Sequence, residues 1–236
     1  MTIFQEVAKL LPHENLVYLA DTANFPYGNK SPEDILRFSE ANAAFLLSQN
    51  IKLLVIACYT ASSYAFEEIQ KTLSIPVITV EKSGLEQLAV STRTNSVAIL
   101  GTTRTIESGS LQAQILAINP LLQIHAIACP LFAPFVEEGL QTHPTLRTIA
   151  AHYLAPLQTT SVDTVLLACT HYPLLSPLIQ DLLGPQVQLI SPANLCAVEV
   201  QNILEKNHLL NLSVKKGIHQ VNARIQSSIK TVSLKN

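Results

Sequence analysis

The sequence is poor in cysteine, in charge and in long hydrophobic runs, and each scarcity removes a class of function. Its four cysteines, Cys58, Cys129, Cys169 and Cys196, form no C-x-x-C pair, so they suit neither a disulfide framework nor a zinc site. A reducing cytoplasm is therefore the expected compartment. Charged residues make up only 14% of the chain, the net charge is −2, and no basic run occurs, which argues against nucleic acid or an anionic membrane as an obligate partner. The longest apolar runs fall well short of a membrane span. The opening MTIFQEVAKLLP interrupts its apolar pattern with Glu6 and Lys9 and so lacks the h-region of a signal peptide. The histidines show no metal-ligand spacing, and no metal is expected. Lys52 and Lys82 give no local sign of a Schiff-base site.

What remains is core-forming sequence. A chain of 236 residues that is 48% hydrophobic can build one large or two small domains. Strand-like runs alternate with helical patterns, the signature of a parallel sheet wrapped by helices. The runs are Leu16 to Ala20, Leu53 to Ala57, Val77 to Val80, Val97 to Leu100, Ile124 to Ala128, Val165 to Ala168 and Val187 to Ile190. Ser31 followed by Pro32, Glu33 and Asp34 is a strong helix start, and that helix is expected to run to about Gln49. Ile3, Phe4, Val7, Leu10 and Leu11 form the apolar stripe of a helix beginning almost at the first residue. A strand normally precedes such a helix, so the chain reads as starting in the middle of a βα unit.

Two segments repeat one design, a buried-strand run followed by Ala-Cys and then a threonine: KLLVIACYTASS (Lys52 to Ser63) and DTVLLACTHYPLL (Asp163 to Leu175). They place Cys58 and Cys169 at the carboxyl ends of two strands, the usual ligand crevice of an open α/β sheet. Either cysteine alone reads as a small core hydrophobe, but the matched setting of both favours chemistry. Two thiols facing one substrate from opposite sides suit removal of a proton from one face of a stereogenic carbon and its return to the other. A helix N-terminus or a neighbouring imidazolium is expected to lower the thiol pKa toward neutrality.

ADTANFPYG (Ala20 to Gly28), ACYTAS (Ala57 to Ser62), IPVI (Ile75 to Ile78), GTTRTIES (Gly101 to Ser108), CPLFAPFVEEG (Cys129 to Gly139) and ACTHYPLL (Ala168 to Leu175) follow one another in an order and spacing that resembles bacterial glutamate racemase, over about residues 1 to 200. The resemblance implies two similar parallel-sheet α/β domains with the active site in the cleft between them. It implies a cofactor-independent interconversion of L- and D-glutamate that feeds peptidoglycan synthesis, with glutamate as the partner and a homodimer left open. Cys58 matches the thiol that takes the α-proton from D-glutamate and Cys169 the thiol that acts on the L-isomer. His171 matches the histidine assisting the second thiol, and Glu137 a carboxylate near it, with Glu138 an alternative. Tyr27, Gly28, Tyr59, Thr60, Thr102, Thr105, Thr170 and His171 are the expected substrate contacts.

Two departures stand out. The family begins with a strand and an Asp-Ser-Gly loop that this sequence does not contain, and the family asparagine after the first cysteine is replaced by Tyr59. A phenol offers one donor where an amide offers a fork. Two alternatives follow, a racemase for aspartate or another amino acid and a catalytically silent binding protein. Cys129 and Cys196 read as core, and Asp21 as a turn residue. The domains are expected at residues 1–82 plus 196–236 and at 83–195. The tail after Asn207 fits the family poorly, shows few large apolar residues at helical spacing, and is expected to be loosely ordered at its end.

Overall fold

The computed structural model describes residues 1–232; residues 233–236, where a loosely ordered end was expected, lie outside the described part. The first half runs α1 (Thr2–Leu10), β1 (Leu16–Ala20), α2 (Pro32–Leu47), β2 (Leu54–Ile56), α3 (Tyr59–Thr72), β3 (Val77–Thr79) and α4 (Lys82–Ser91). The second continues with β4 (Ser96–Gly101), α5 (Thr103–Glu107), α6 (Ser110–Ile118), β5 (Gln123–Ala128), α7 (Phe132–Glu137) and α8 (Pro144–Leu154). Then come β6 (Thr164–Ala168), α9 (Ser176–Leu183), β7 (Gln188–Ile190), α10 (Pro192–Lys206), β8 (His219–Ile225) and β9 (Ser228–Thr231). All seven expected strands form, with ends displaced by at most a residue.

Local chemistry explains the boundaries. Ser31 caps α2 by accepting from the Asp34 N–H at 3.1 Å, with Pro32 in the first turn. β4 and β6 lie side by side in the parallel sheet β5-β4-β6-β7 and are buried along their whole length. Helices cover both faces of that sheet, which is why both strands are near-continuous apolar runs rather than alternating ones. One core unites α1, α4, β4 and α10 through Val7, Leu88, Ile99 and Val200, and a second fills the other face of the sheet with Leu146, Leu154, Val165 and Phe132. A third lies between α2, α3 and β2 around Ala65 and Ile69.

The tail departs from expectation. Residues 219–231 form two strands, and β8 pairs parallel to β1 with Leu16 opposite His219, while β9 returns antiparallel to β8. A helical period cannot reveal this segment, because its partner lies some two hundred residues earlier. The tail reaches β1 through Gly217, whose N–H donates to the Pro12 carbonyl at 2.9 Å. A Cβ there would sit 1.9 Å from the Glu14 carbonyl oxygen, so the crossing requires glycine. β1 and β2 belong to different sheets, β1-β8-β9 and β2-β3, and are not bonded to each other.

Candidate active site

Parallel strands all deliver their carboxyl ends to one side, and there the two halves of the chain meet. Cys58 follows β2 as the N-cap of α3 and is partly exposed, while Cys169 follows β6 and is 7% exposed. The two are close enough that charge on Cys58 raises the pKa of Cys169.

The thiols are not activated as expected. Burial pushes the Cys58 thiol up despite N–H groups of Ala61 and Thr60 and the Thr60 hydroxyl, which stabilise its thiolate. Burial likewise pushes Cys169 up to about 12 against the opposing N–H groups of His171 and Tyr172. Loss of water around sulfur therefore outweighs the backbone donors in this cleft.

His171 lies between a thiol and a carboxylate. Its Nδ1 is 3.7 Å from the Cys169 sulfur and its Nε2 is 2.5 Å from Glu137 Oε1. With Glu137 accepting, the network assigns the proton to Nε2, leaving Nδ1 free to take one from sulfur. This fixes Glu137, rather than Glu138, as the carboxylate at the histidine. Phe25, from the first half, packs on the imidazole with ring centres 5.8 Å apart. Behind the loop, Tyr172 donates to the Cys129 carbonyl at 2.8 Å, and Cys129 and Cys196 are both fully buried, as expected of core residues.

Three threonine hydroxyls bridge the halves. Thr60 Oγ1 lies 2.9 Å from Thr102 Oγ1 and 3.0 Å from Thr105 Oγ1, and the latter two are 3.0 Å apart. Thr102 also caps α5 by accepting from the Thr105 N–H at 3.3 Å. Gly28 approaches Thr102 so closely that a Cβ would lie 2.6 Å from the Thr102 Cβ. Thr170 sits at the rim, its carbonyl accepting from the Thr2 hydroxyl at 3.0 Å.

Two expected substrate contacts are placed differently. Tyr59 is 1% exposed and belongs to the central core, its hydroxyl beside Gly84 and without a partner. As the first residue of α3 it turns back between α4 and β6, because its ring is large and apolar enough to be worth burying. The Tyr27 hydroxyl donates to Asp21 at 2.5 Å and accepts from Asn42 at 3.0 Å, so only its backbone remains for a ligand. Burial and the Asp21 carboxylate push that phenol well above its ordinary range.

The Tyr27 network contains residues that sequence reasoning missed. Asn42 binds Asp21 at 3.2 Å, and Arg224 of β8 reaches Asn42 Oδ1 at 3.0 Å and Asp21 at 3.4 Å. Asp21 also receives Asn24 at 2.9 Å, which gives it the turn-holding role expected of it. No local pattern points to Arg224, whereas Phe25 stands inside the ADTANFPYG motif and was open to notice. Lys52 is held by Glu14 at 2.7 Å, away from the thiols. Among the described residues no group of three or more His, Cys, Asp or Glu side chains converges to hold a metal ion, and no helix is long and apolar enough to cross a membrane.

Comparison with known proteins agrees with this geometry. Residues 2–200 match the family model described as Asp/Glu/hydantoin racemase. A glutamate racemase of Geobacter metallireducens is 42% identical over 219 residues, covering 93% of this chain and 81% of that protein. Among solved structures, a glutamate racemase isoform from Bacillus anthracis superposes with a TM-score of 0.90 at 32% identity, covering 94% of this chain and 83% of that one. A glutamate racemase from Francisella tularensis, in complex with D-glutamate, gives 0.88 at 31% identity, with coverage of 94% and 82%. With two strand-end thiols and a histidine held between thiol and carboxylate, matches of this extent identify the chain as a member of the Asp/Glu/hydantoin racemase family.

Proposed function

We propose that the protein is a cofactor-independent glutamate racemase in which Cys58 and Cys169 act on opposite faces of the substrate α-carbon. The observation that carries this reading is the pair of strand-end thiols near enough to interact electrostatically, each with a threonine immediately or two residues beyond it. Relatives covered over four fifths of their length carry the glutamate racemase name, which supports glutamate over aspartate as substrate.

Electrostatic coupling gives the pair its working state. Burial holds the Cys169 proton, and a thiolate on Cys58 adds to that hold, so one base faces one acid. The thiolate takes the α-proton, and the electron pair left on carbon delocalises into the adjacent carboxylate as the centre flattens. The opposite thiol delivers its proton to the other face and becomes the thiolate. For L-glutamate the base is Cys169, with His171 drawing the thiol proton toward its Nδ1 while Glu137 holds the ring. For D-glutamate the base is Cys58, supported by donors at the start of α3.

The carboxylates of glutamate need donors, and the hydroxyls of Thr60, Thr102, Thr105 and Thr170 with the backbone of Tyr27 and Gly28 are the assigned ones. The domain division at about residues 82 and 196 belongs to the same reading, since it gives each domain one thiol. All four cysteines are free thiols, which supports a reducing, cytoplasmic setting.

The test is α-proton exchange of each glutamate isomer in D₂O, followed by NMR. The unaltered chain is expected to exchange and invert both isomers. Cys58→Ala should keep exchange of L-glutamate without inversion, and Cys169→Ala the same for D-glutamate. Exchange persisting in the double variant would remove the thiols from the mechanism.

A further inference from the structure

Near the end of β8, Arg224 has a side chain only 17% exposed, although guanidinium groups ordinarily stay in water. Two of its nitrogens converge on one atom of α2, with Nε 3.2 Å and Nη2 3.0 Å from Asn42 Oδ1. The same Nε lies 3.4 Å from Oδ1 of Asp21, a carboxylate 7% exposed. Arginine has only donors, so the atom it meets must be the amide oxygen, and this orients the rest of the Asn42 side chain. Its Nδ2 then donates to Asp21 Oδ2 at 3.2 Å and to the Tyr27 hydroxyl at 3.0 Å, while Tyr27 donates to Asp21 Oδ2 at 2.5 Å.

Tyr27 opens a short 3-10 turn, Tyr27–Asn29, that contains Gly28. The Lys30 N–H closes the turn on the Tyr27 carbonyl at 3.0 Å, and Arg104 Nε of the second half donates to the Lys30 carbonyl at 2.8 Å. The turn is thus gripped at its far end by the second half and at its Tyr27 end by the tail. Without the guanidinium, Asn42 is free to flip, the buried Asp21 carboxylate loses its cation, and the Tyr27 hydroxyl loses a fixed anchor. The strand itself does not depend on that side chain. Its ladder with β1 and the 2.6 Å donation from the Thr22 hydroxyl to the Arg224 carbonyl both use the backbone of β8.

We infer that Arg224 is a positioning residue for the substrate: from the tail strand, through Asn42 and Asp21, it fixes the Tyr27-Gly28 backbone assigned to a glutamate carboxylate. The identity of the ligand rests on the racemase reading, whereas the mechanical link from Arg224 to the turn does not. Donors no longer held in place grip the bound substrate less, so the loss of Arg224 shows as a higher KM. A guanidinium that served only to neutralise Asp21 would act on stability instead, lowering the folded fraction and the apparent kcat with KM unchanged.

Racemisation kinetics and amide hydrogen exchange without substrate test this on the full chain and on Arg224→Ala, Arg224→Lys, Asn42→Ala and the Arg224→Ala, Asn42→Ala double variant. Arg224→Ala should raise KM for both glutamate isomers by about tenfold or more, and Arg224→Lys, which restores the charge but not the fork, by about threefold. The double variant should be no worse than the more damaged single one, because the two residues act in series. The Lys30 amide, bonded to the Tyr27 carbonyl, should exchange at least about tenfold faster in Arg224→Ala, while the Leu16 amide, bonded to the Ile218 carbonyl, stays protected and shows β8 still docked. If β8 undocks in that variant, Asn42→Ala, which leaves the β8 backbone untouched, carries the same two readings. An unchanged KM with only kcat reduced, single effects that multiply in the double variant, or an unchanged Lys30 amide would overturn the proposal. A chain that racemises no glutamate would defeat the racemase reading alone, since exchange at Lys30 still decides whether Arg224 holds the turn.

Discussion

Replacing Gly28 with alanine tests whether the two halves are held at their observed spacing. The added Cβ would lie 2.6 Å from the Thr102 Cβ and 3.0 Å from both its Cγ2 and Oγ1. Carbon atoms in ordinary contact stay about 3.5 to 4.0 Å apart, so the pair must separate by about 1 Å. Thr102 cannot yield by rotating, because its Cβ is carried on the backbone that begins α5 and its hydroxyl caps that helix. A shift of that size stretches the 2.9 Å Thr60–Thr102 contact beyond hydrogen-bonding range and moves the Thr105 hydroxyl with it. Overpacking of this kind costs about 1 to 3 kcal/mol, or about 3 to 10 °C in melting temperature. A displacement of about 1 Å at a positioning element lowers kcat/KM by about 100-fold. Racemisation followed by circular dichroism in both directions, with a thermal melt, reads both effects. Thr102→Ser retains the obstructing Cβ and should not restore Gly28→Ala, whereas Thr102→Gly should recover its lost stability in part. Activity within twofold of the unaltered chain and an unchanged melt would refute the argument.

Four further outcomes are expected. Tyr59→Phe removes a buried hydroxyl without a partner, so stability should hold or rise by about 1 kcal/mol with racemisation intact, and a tenfold loss of activity would return Tyr59 to the substrate. Gly217→Ala drives a Cβ into the Glu14 backbone and should cost about 3 kcal/mol or more by chemical denaturation, with weaker activity as Arg224 leaves Asn42 and Asp21. Glu137→Gln should lower turnover of L-glutamate by at least about tenfold and leave the D-isomer's proton abstraction less affected, as single-turnover rates in each direction would show. Burial pushes the Cys169 and Cys196 thiols up to about 12 in the folded chain, whereas unfolded thiols ionise near about 8.5. Between those values only the unfolded state has released the protons, so stability is full below about pH 8.5 and falls toward pH 12 by up to about 1.4 kcal/mol per unit per thiol. Cys196→Ala should flatten that slope by one thiol's share, read from denaturation at pH 8 to 11.

The strands were legible because burial on both faces leaves long apolar runs, and α2 because Ser31 and Pro32 advertise its start. Cys58, Cys169 and Thr60 were open to notice because each sits within a few residues of a strand end, where chain order and spatial order coincide, whereas His171 was singled out through the resemblance. Glu137 needed the resemblance to be singled out, since one helical acid looks like another. Tyr59 was misplaced because adjacency to Cys58 in sequence says nothing about which way a first-turn side chain points. Arg224, β8 and the Asp21–Asn42 network were invisible, since their contacts span about two hundred residues and leave no periodic trace.

The sequence by itself determined the alternation of strands and helices, the two thiols at strand ends and the chemistry class they imply, because these depend on local periodicity and residue type. Only the tertiary structure decided which hydroxyls meet across the halves, that burial raises both thiols, and that the tail supplies a strand beside β1. Those features arise from packing between distant segments, where the loss of water and the close approach of backbones, rather than local propensity, set the outcome.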